Sequence, residues 1–239
     1  LRIVPAIFIL IFFVIYTASG FVSAGRLFET VFGIPYEYAI FIGAGSVIFY
    51  TLVGGFLAVA RTDFIQGIMM FFAILVVPIC ATMASGGLER TLAEIGSVQA
   101  SMLQPLTKPD GSTLGAIELI SLLAWGIGYF GQPHILVRFM AIRTSGEIRR
   151  ATHIAMTWVV LSLAAAVAVG MVGRVYLTTP LEGTASETVF LVMTNQLFPP
   201  IVAGLVLSAV LAAIMSTASS QLLVAASAFA QDFYRTIIH

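Results

Sequence analysis

The chain has 239 residues, of which 59% are hydrophobic and only 9% are charged, with 11 basic and 11 acidic side chains. Because soluble domains carry about 25% charged residues, this composition excludes an ordinary soluble protein and indicates an integral membrane protein. The balanced charge argues against nucleic acid as a partner, and the single cysteine, Cys80, excludes a disulfide within these residues.

The two ends of the sequence resemble neither a leader nor a tail. Leu1 opens directly into apolar sequence without a charged leader, and His239 follows closely after a hydrophobic segment. A signal peptide is therefore not indicated. We expect residues 1–239 to be an internal fragment of a longer transmembrane protein.

Six segments are long and apolar enough to cross a bilayer, which takes about 20 residues in a helix. They are residues 3–22, 39–59, 64–85, 117–140, 154–176 and 202–230. The sequence therefore predicts an all-α protein with six transmembrane helices, embedded in a lipid bilayer, with both ends on one side. Between the third and fourth spans, the run Lys108-Pro109-Asp110-Gly111 is typical of a turn.

Basic residues orient the spans, because cytoplasmic loops are enriched in lysine and arginine. One set of loops and ends holds seven of them: Arg2, Arg61, Arg138, Arg143, Arg149, Arg150 and Arg235. The other set holds four: Arg26, Arg90, Lys108 and Arg174. We expect the first set, and with it both chain ends, to be cytoplasmic. Arg61 and Asp63 mark the cytoplasmic end of the second span, as an ion pair or as a gate.

The fourth span contains a run that should interrupt a helix. Three glycines and a proline fall between Trp125 and Pro133, and both residue types disfavour a helix interior. Gly126 and Gly128 allow the backbone to leave the helix, while Trp125 and Tyr129 are four residues apart. Freed amides suit a carboxylate, freed carbonyls suit an amine, and aromatic rings suit an apolar body. The alternative is a proline kink lined by interfacial aromatic residues, but six special residues in nine exceed what a kink requires. The run therefore predicts a binding site for a small zwitterion.

The last span carries small and hydroxyl residues on one face. Ser208, Ala212, Ser216 and Ser220 are spaced by four, which also fits the close packing of a second helix. Hydroxyl and carbonyl oxygens suit a hard monovalent cation. A sodium site could use Ser216, Thr217 and the carbonyl of Ala213, with further oxygens from another helix.

Other polar residues leave their role open or argue against enzymatic chemistry. Tyr16, deep in the first span, either bonds to a neighbouring helix or faces a cargo cavity. His134 and His153 have no metal-ligand spacing, and no catalytic set appears, so an enzyme is not expected. No carboxylate falls well inside a predicted span, with Glu118 only at an outer edge, which argues against a proton relay.

Four runs resemble the sodium/solute symporter family. They are residues 122–136, which contain Trp-Gly-Ile-Gly-Tyr-Phe-Gly-Gln-Pro-His, residues 211–223, which contain Met-Ser-Thr-Ala-Ser-Ser-Gln, residues 50–58 and residues 16–20. The Gly-Gly-Phe run at residues 54–56 is general to the family. The run around Trp125 is more particular to its proline carriers, and the resemblance extends over nearly the whole chain.

The resemblance implies a leucine-transporter-like fold of two inverted five-helix repeats in a bacterial inner membrane. It implies sodium-coupled secondary active uptake of proline by alternating access, with sodium as the co-transported ion. Trp125, Tyr129 and Pro133 match positions involved in proline binding, and Tyr16 matches a residue that lines the same site. Ser216, Thr217 and the Ala213 carbonyl match sodium ligands.

The resemblance also implies that part of the transporter core is missing. The family's other sodium ligands lie on a first core helix that these residues lack, so we expect the chain by itself not to transport. Two alternatives stay open. One is a sodium symporter for another amino acid, a sugar or a vitamin, and the other is a membrane sensor built on a transporter-like core.

Overall fold

The structure, a computed structural model, describes residues 3–235, without the side chains of Thr30 and Phe233. Eight α-helices lie in that range: α1 Ile3–Phe32, α2 Tyr36–Ala84, α3 Leu88–Val98, α4 Ala116–Ala124, α5 Pro133–Met140, α6 Ser145–Tyr176, α7 Val189–Leu197 and α8 Pro200–Ser227. Short 3₁₀ helices cover Ala100–Leu103, Trp125–Gly131 and Gly183–Thr188, and a π-helix follows α8 at Ala228–Tyr234. Arg2, which we expect to be cytoplasmic, lies outside this range.

Four of the described helices are long and apolar enough to cross a bilayer, namely α1, α2, α6 and α8. Every regular element among residues 3–235 is helical, and Thr107 and Thr113 form an isolated bridge. The prediction of an all-α, multi-pass membrane protein is therefore confirmed at this level.

The first helix runs beyond the end predicted at residue 22 and continues to Phe32. Nothing in residues 23–32 stops a helix, whereas Gly33 takes the left-handed conformation with a φ of 64°. The Gly33 amide donates to the Glu29 carbonyl at 3.1 Å, which closes the last turn. A glycine with positive φ followed by Pro35, rather than the loss of apolar character, ends this helix.

The boundary expected between the second and third spans, at residues 60–63, was also wrong. Arg61, Thr62 and Asp63 are helical, and the departure from helix falls earlier, at Gly55, with φ 54° and ψ −154°. Only glycine adopts that conformation readily. Thr62 bonds to the carbonyls of Ala58 and Val59 in its own helix, so the polar run is compatible with helix.

The interruption predicted in the fourth span is present in the backbone. α4 ends at Ala124, residues 125–131 form a 3₁₀ helix, and Gln132 is extended with φ −75° and ψ 115°. Pro133 then opens α5, a position where its missing amide costs little. The residue before a proline disfavours the helical region, which accounts for Gln132.

The turn predicted at residues 108–111 precedes α4 and helps to fix where it begins. The Gly111 amide donates to the Lys108 carbonyl at 3.0 Å. Asp110 accepts two hydrogen bonds from Ser112, which lowers the pKa of its carboxyl group. Lys108 pairs with Glu118 at 2.6 Å, and Glu118 accepts the Gly115 amide at 2.8 Å. Hydrogen bonds from Lys108 and Gly115, which precede the apolar segment, therefore help to determine where α4 begins.

The chain forms two compact units. The first consists of residues 1–70, 133–138 and 208–239, and its core is built mainly of small side chains, among them Ala24, Ala39, Val47 and Ala218. The second consists of residues 71–132 and 139–207. Within it Gly173 of α6 lies so close to Val189 and Met193 that a β-carbon would clash, which places α7 directly on α6.

Replacing Gly55 by alanine tests whether α2 requires its break. We expect Gly55→Ala to destabilise the full-length protein by about 1–3 kcal/mol, because alanine is strained in that conformation. Gly67→Ala is the matched control, since Gly67 lies on the same helix, lacks a positive φ and has open space around it. Thermal unfolding in detergent measures both variants, and equal midpoints would contradict a required break.

Candidate functional site

The 3₁₀ segment between α4 and α5 presents two aromatic rings beside open backbone. The Trp125 and Tyr129 rings meet edge to face, with centroids 5.2 Å apart and an interplanar angle of 82°. Both are accessible, at 70% and 44% exposure. No atom lies within 4 Å of a β-carbon built on Gly126 or Gly128. A small molecule could therefore approach the peptide groups directly, next to an aromatic surface.

The backbone hydrogen bonds of this segment are those of a 3₁₀ helix. A 3₁₀ helix pairs its groups less well than an α-helix does. Gln132, at its end, donates to the Tyr129 carbonyl at 3.4 Å. The Trp125 and Tyr129 rings, four residues apart, contact each other within a 3₁₀ segment rather than within an α-helical turn. The four residues of this segment that the sequence predicts to bind cargo, Trp125, Gly126, Gly128 and Tyr129, lie in the second unit.

Two other predicted cargo residues, Tyr16 and Pro133, lie in the first unit. Tyr16 is on α1 and half exposed, and its hydroxyl has no hydrogen-bond partner among residues 3–235. Pro133 is the first residue of α5.

Two of the three predicted sodium ligands, the Ser216 and Thr217 hydroxyls, bond to the third, the Ala213 carbonyl of α8. Ser216 Oγ donates to the Ala213 carbonyl oxygen at 3.0 Å, and Thr217 Oγ1 donates to the same atom at 3.1 Å. Each hydroxyl oxygen keeps lone pairs that could accept a cation. The Ala213 oxygen, by contrast, already accepts both hydroxyls, so a cation would have to displace one of them. The set suits a hard monovalent ion that competes with weak local hydrogen bonds.

Partners on other helices hold α8 on both sides of these hydroxyls, and sequence reasoning missed them. The Tyr50 hydroxyl on α2 donates to the Met215 carbonyl at 3.2 Å. Thr17 on α1 donates to the side chain of Gln221 at 3.3 Å, and Gln221 is completely buried. The available signal was a glutamine in an apolar helix, since such a side chain needs a partner within the bundle.

A three-residue polar cluster joins α2, α5 and α8 inside the first unit. Arg138 donates to Asp63 and, at 2.6 Å, to the hydroxyl of Ser220. Ser220 in turn donates to Asp63 at 3.1 Å. The Asp63 side chain is only 7% exposed, whereas that of Arg138 is 43% exposed. The carboxylate is therefore buried with two partners, one of them charged.

This cluster corrects two expectations about α2. Arg61 is exposed and is not the partner of Asp63, which pairs with Arg138, 75 residues away in sequence. Asp63 also lies within the helical residues of α2 and is buried, rather than in a loop at a helix end. Sequence alone placed Asp63 at a helix end because the polar run Arg61-Thr62-Asp63 resembles a loop.

A small cleft lies beside the cluster. Apolar side chains of α2, α5 and α8 line it, together with His134, Arg138 and Ser220. The His134 ring meets Phe13 edge-on at 5.5 Å, and its buried Nδ1 has no partner among the described residues. Residues 3–235 contain no group of three His, Cys, Asp or Glu side chains that could bind a metal.

Removing the buried carboxylate tests what holds these helices together. We expect Asp63→Asn to lower the unfolding free energy of the full-length protein by about 2 kcal/mol, because Arg138 loses its counter-ion but keeps some access to solvent. The control is Glu29→Gln, which breaks the exposed pair with Arg26 and should cost about 0.5 kcal/mol or less. Equal losses of stability for the two variants in thermal unfolding would show that the buried cluster stabilises the protein no more than an exposed ion pair does.

Comparison with known proteins places these features in context. The model of the Sodium:solute symporter family matches residues 1–239. The osmoregulated proline transporter OpuE of Bacillus subtilis is 46% identical over 99% of this chain and 47% of its own length. The high-affinity proline transporter PutP of the same organism is 48% identical over 99% of the chain and 49% of its own length.

A third relative, the sodium/proline symporter of Salmonella typhimurium, is 45% identical over 100% of this chain and 47% of its own length. The chain therefore spans about half the length of the curated relatives that it matches. No solved structure matches it.

Proposed function

Because this chain belongs to the sodium:solute symporter family, we propose that the complete protein takes up proline by sodium-coupled secondary active transport with alternating access. Its relatives along nearly the whole chain are named for proline transport. The structural observation that carries the proposal is the helix break at residues 125–132, where two aromatic rings flank open backbone. The family is one of symporters, not of enzymes.

In this proposal proline binds at the break. Its apolar ring packs against Trp125 and Tyr129, and its carboxylate and secondary amine bond to the backbone that Gly126 and Gly128 leave accessible. Tyr16 and Pro133 are further cargo residues on the strength of the resemblance. Proline offers one carboxylate, one cationic nitrogen and one apolar ring, which fits the groups that the segment presents.

Sodium, as the co-transported ion, binds to the oxygens of Ser216, Thr217 and Ala213, with further oxygens from another helix. Binding exchanges one hydroxyl-to-carbonyl hydrogen bond on α8 for ion coordination, so it changes the side-chain conformation of that turn. A ligand shifts a conformational equilibrium only through its different affinities for the two states. The conformational change of this turn is one source of such a difference.

The transport cycle follows from these two sites. Sodium favours the outward-open state, proline binds next, and the rocking of one bundle against the other opens the inward path. The membrane potential drives entry of the ion with about 2.3 kcal/mol per charge per 100 mV. Neither site contains a titratable side chain among the residues assigned, apart from the Tyr16 and Tyr129 phenols.

We extend the proposal to fold and location. The protein has a leucine-transporter-like inverted-repeat fold, to which this chain contributes six spans: α1, α2 counted twice, α4 with α5, α6, and α8. It lies in a bacterial inner membrane with both ends of the chain in the cytoplasm. Support comes from the four long apolar helices, the break at Gly55 and the excess of arginine in one set of loops.

Truncating one ring tests the cargo site. We expect Tyr129→Ala in the full-length protein to raise the KM for proline by about three- to tenfold, because the cargo loses an aromatic contact. Phe130→Ala, an equally large truncation of the exposed neighbour in the same 3₁₀ segment, should leave the KM unchanged. Uptake of labelled proline measures both, and a panel of competing amino acids, sugars and vitamins identifies the preferred cargo.

Removing one hydroxyl tests the ion site. We expect Thr217→Ala to raise the sodium concentration for half-maximal proline uptake by about tenfold, since one ligand oxygen is lost. Thr152→Ala is the control, because Thr152 on α6 makes the same kind of bond to its own helix, at 2.9 Å to Ile148. An unchanged sodium requirement in Thr217→Ala would remove this residue from the ion site.

A further inference from the structure

Tyr50 lies half-buried on α2, four residues before the Gly54–Gly55 pair. Its hydroxyl donates to the Met215 carbonyl of α8 at 3.2 Å, across 165 residues of sequence. Met215 directly precedes Ser216 and Thr217. A bond to this carbonyl therefore acts on the backbone from which both hydroxyls project.

A second polar contact lies within α8, one helical turn further along. Ser219 is completely buried, and its hydroxyl donates to the Ser216 carbonyl at 3.1 Å. The Ala213–Thr217 turn is therefore bonded to Tyr50 through Met215 and to Ser219 through Ser216.

The apolar surroundings make this contact difficult to replace. Both helices are long and apolar enough to span a bilayer, where a polar group without a partner in the protein is costly. If Tyr50 loses its bond to Met215, little water is available to take its place. The turn at residues 213–217 should then be free to rotate or shift by a small amount, which matters where an ion needs several oxygens at fixed distances.

We propose that Tyr50 is a positioning residue for the sodium site, holding the Ala213–Thr217 turn of α8 in ion-binding geometry through the Met215 carbonyl. The inference rests on the proposed function of that turn. Tyr50 does not itself coordinate the ion, because its hydroxyl is directed to a backbone carbonyl that is not among the proposed ligands.

Tyr50→Phe removes the hydroxyl and keeps the ring. In the full-length protein we expect the sodium concentration for half-maximal proline uptake to rise by about three- to tenfold. A change of that size corresponds to the free energy of one hydrogen bond. The proline KM at saturating sodium should stay within about twofold of the original. Tyr38→Phe, on the same helix and exposed, is the matched control and should change neither value.

A packing role alone gives a different result. It would lower the amount of protein in the membrane, and with it the maximal rate, while leaving the sodium requirement unchanged, and that result would overturn the inference. Ser219→Ala, a smaller truncation at the second contact, is measured in parallel and should raise the sodium requirement in the same direction. It provides the decision should Tyr50→Phe fail to reach the membrane.

Combining Tyr50→Phe with Thr217→Ala separates the inference from the function on which it rests. If Tyr50 acts through this turn, its effect in the Thr217→Ala background should be clearly smaller than in the original protein. Additive effects would overturn the role of Tyr50. A second result would also overturn the role of Tyr50: Thr217→Ala changes the sodium requirement and Tyr50→Phe does not. That result would still support the ion site. Uptake without any sodium dependence would instead reject the proposed function.

Discussion

The structure depends on one constraint, which is that polar groups inside apolar helices must find their partners within the protein. Asp63 illustrates it most clearly: the carboxylate is buried within a long apolar helix and is bonded to Arg138 and Ser220 from two other helices. Gln221 with Thr17, and Tyr50 with Met215, are further pairs of this kind, while Oδ1 of Asp63 and Nε2 of Gln221 have no partner among the described residues. Because these partners are distant in sequence, the need for them determines which helices pack together and in which register.

The same constraint explains how an interrupted helix can serve as a binding site. Residues 125–131 leave α-geometry for a 3₁₀ helix, in which the peptide groups form hydrogen bonds of poorer geometry than in an α-helix. The groups remain accessible beside Trp125 and Tyr129. In the α8 turn at Ala213, by contrast, the hydroxyl and carbonyl oxygens satisfy one another until an ion competes for them. The first site offers accessible peptide groups with weaker hydrogen bonds, and the second offers hydrogen bonds that are easily exchanged.

The presence of transmembrane helices and the break in the fourth span could be predicted because both depend on local chemistry. Composition alone indicates transmembrane helices, and glycines with a proline at Pro133 interrupt a helix wherever it packs. The C-terminal end of α1 and the break in α2 were misplaced for a local reason too: a drop in apolar character was weighed above the conformations that Gly33 and Gly55 adopt. Candidate residues such as Ser216 and Thr217 follow from residue type and from a resemblance.

By itself the sequence determined that this protein is helical and membrane-embedded, and that its fourth span departs from helix at residues 125–132, since hydropathy and backbone preference act over a few residues. Only the tertiary structure decided that Asp63 pairs with Arg138 rather than with the nearby Arg61, and that Tyr50 bonds to Met215. Those pairings join residues 75 and 165 positions apart. They depend on how helices pack, and no local pattern in the chain encodes that.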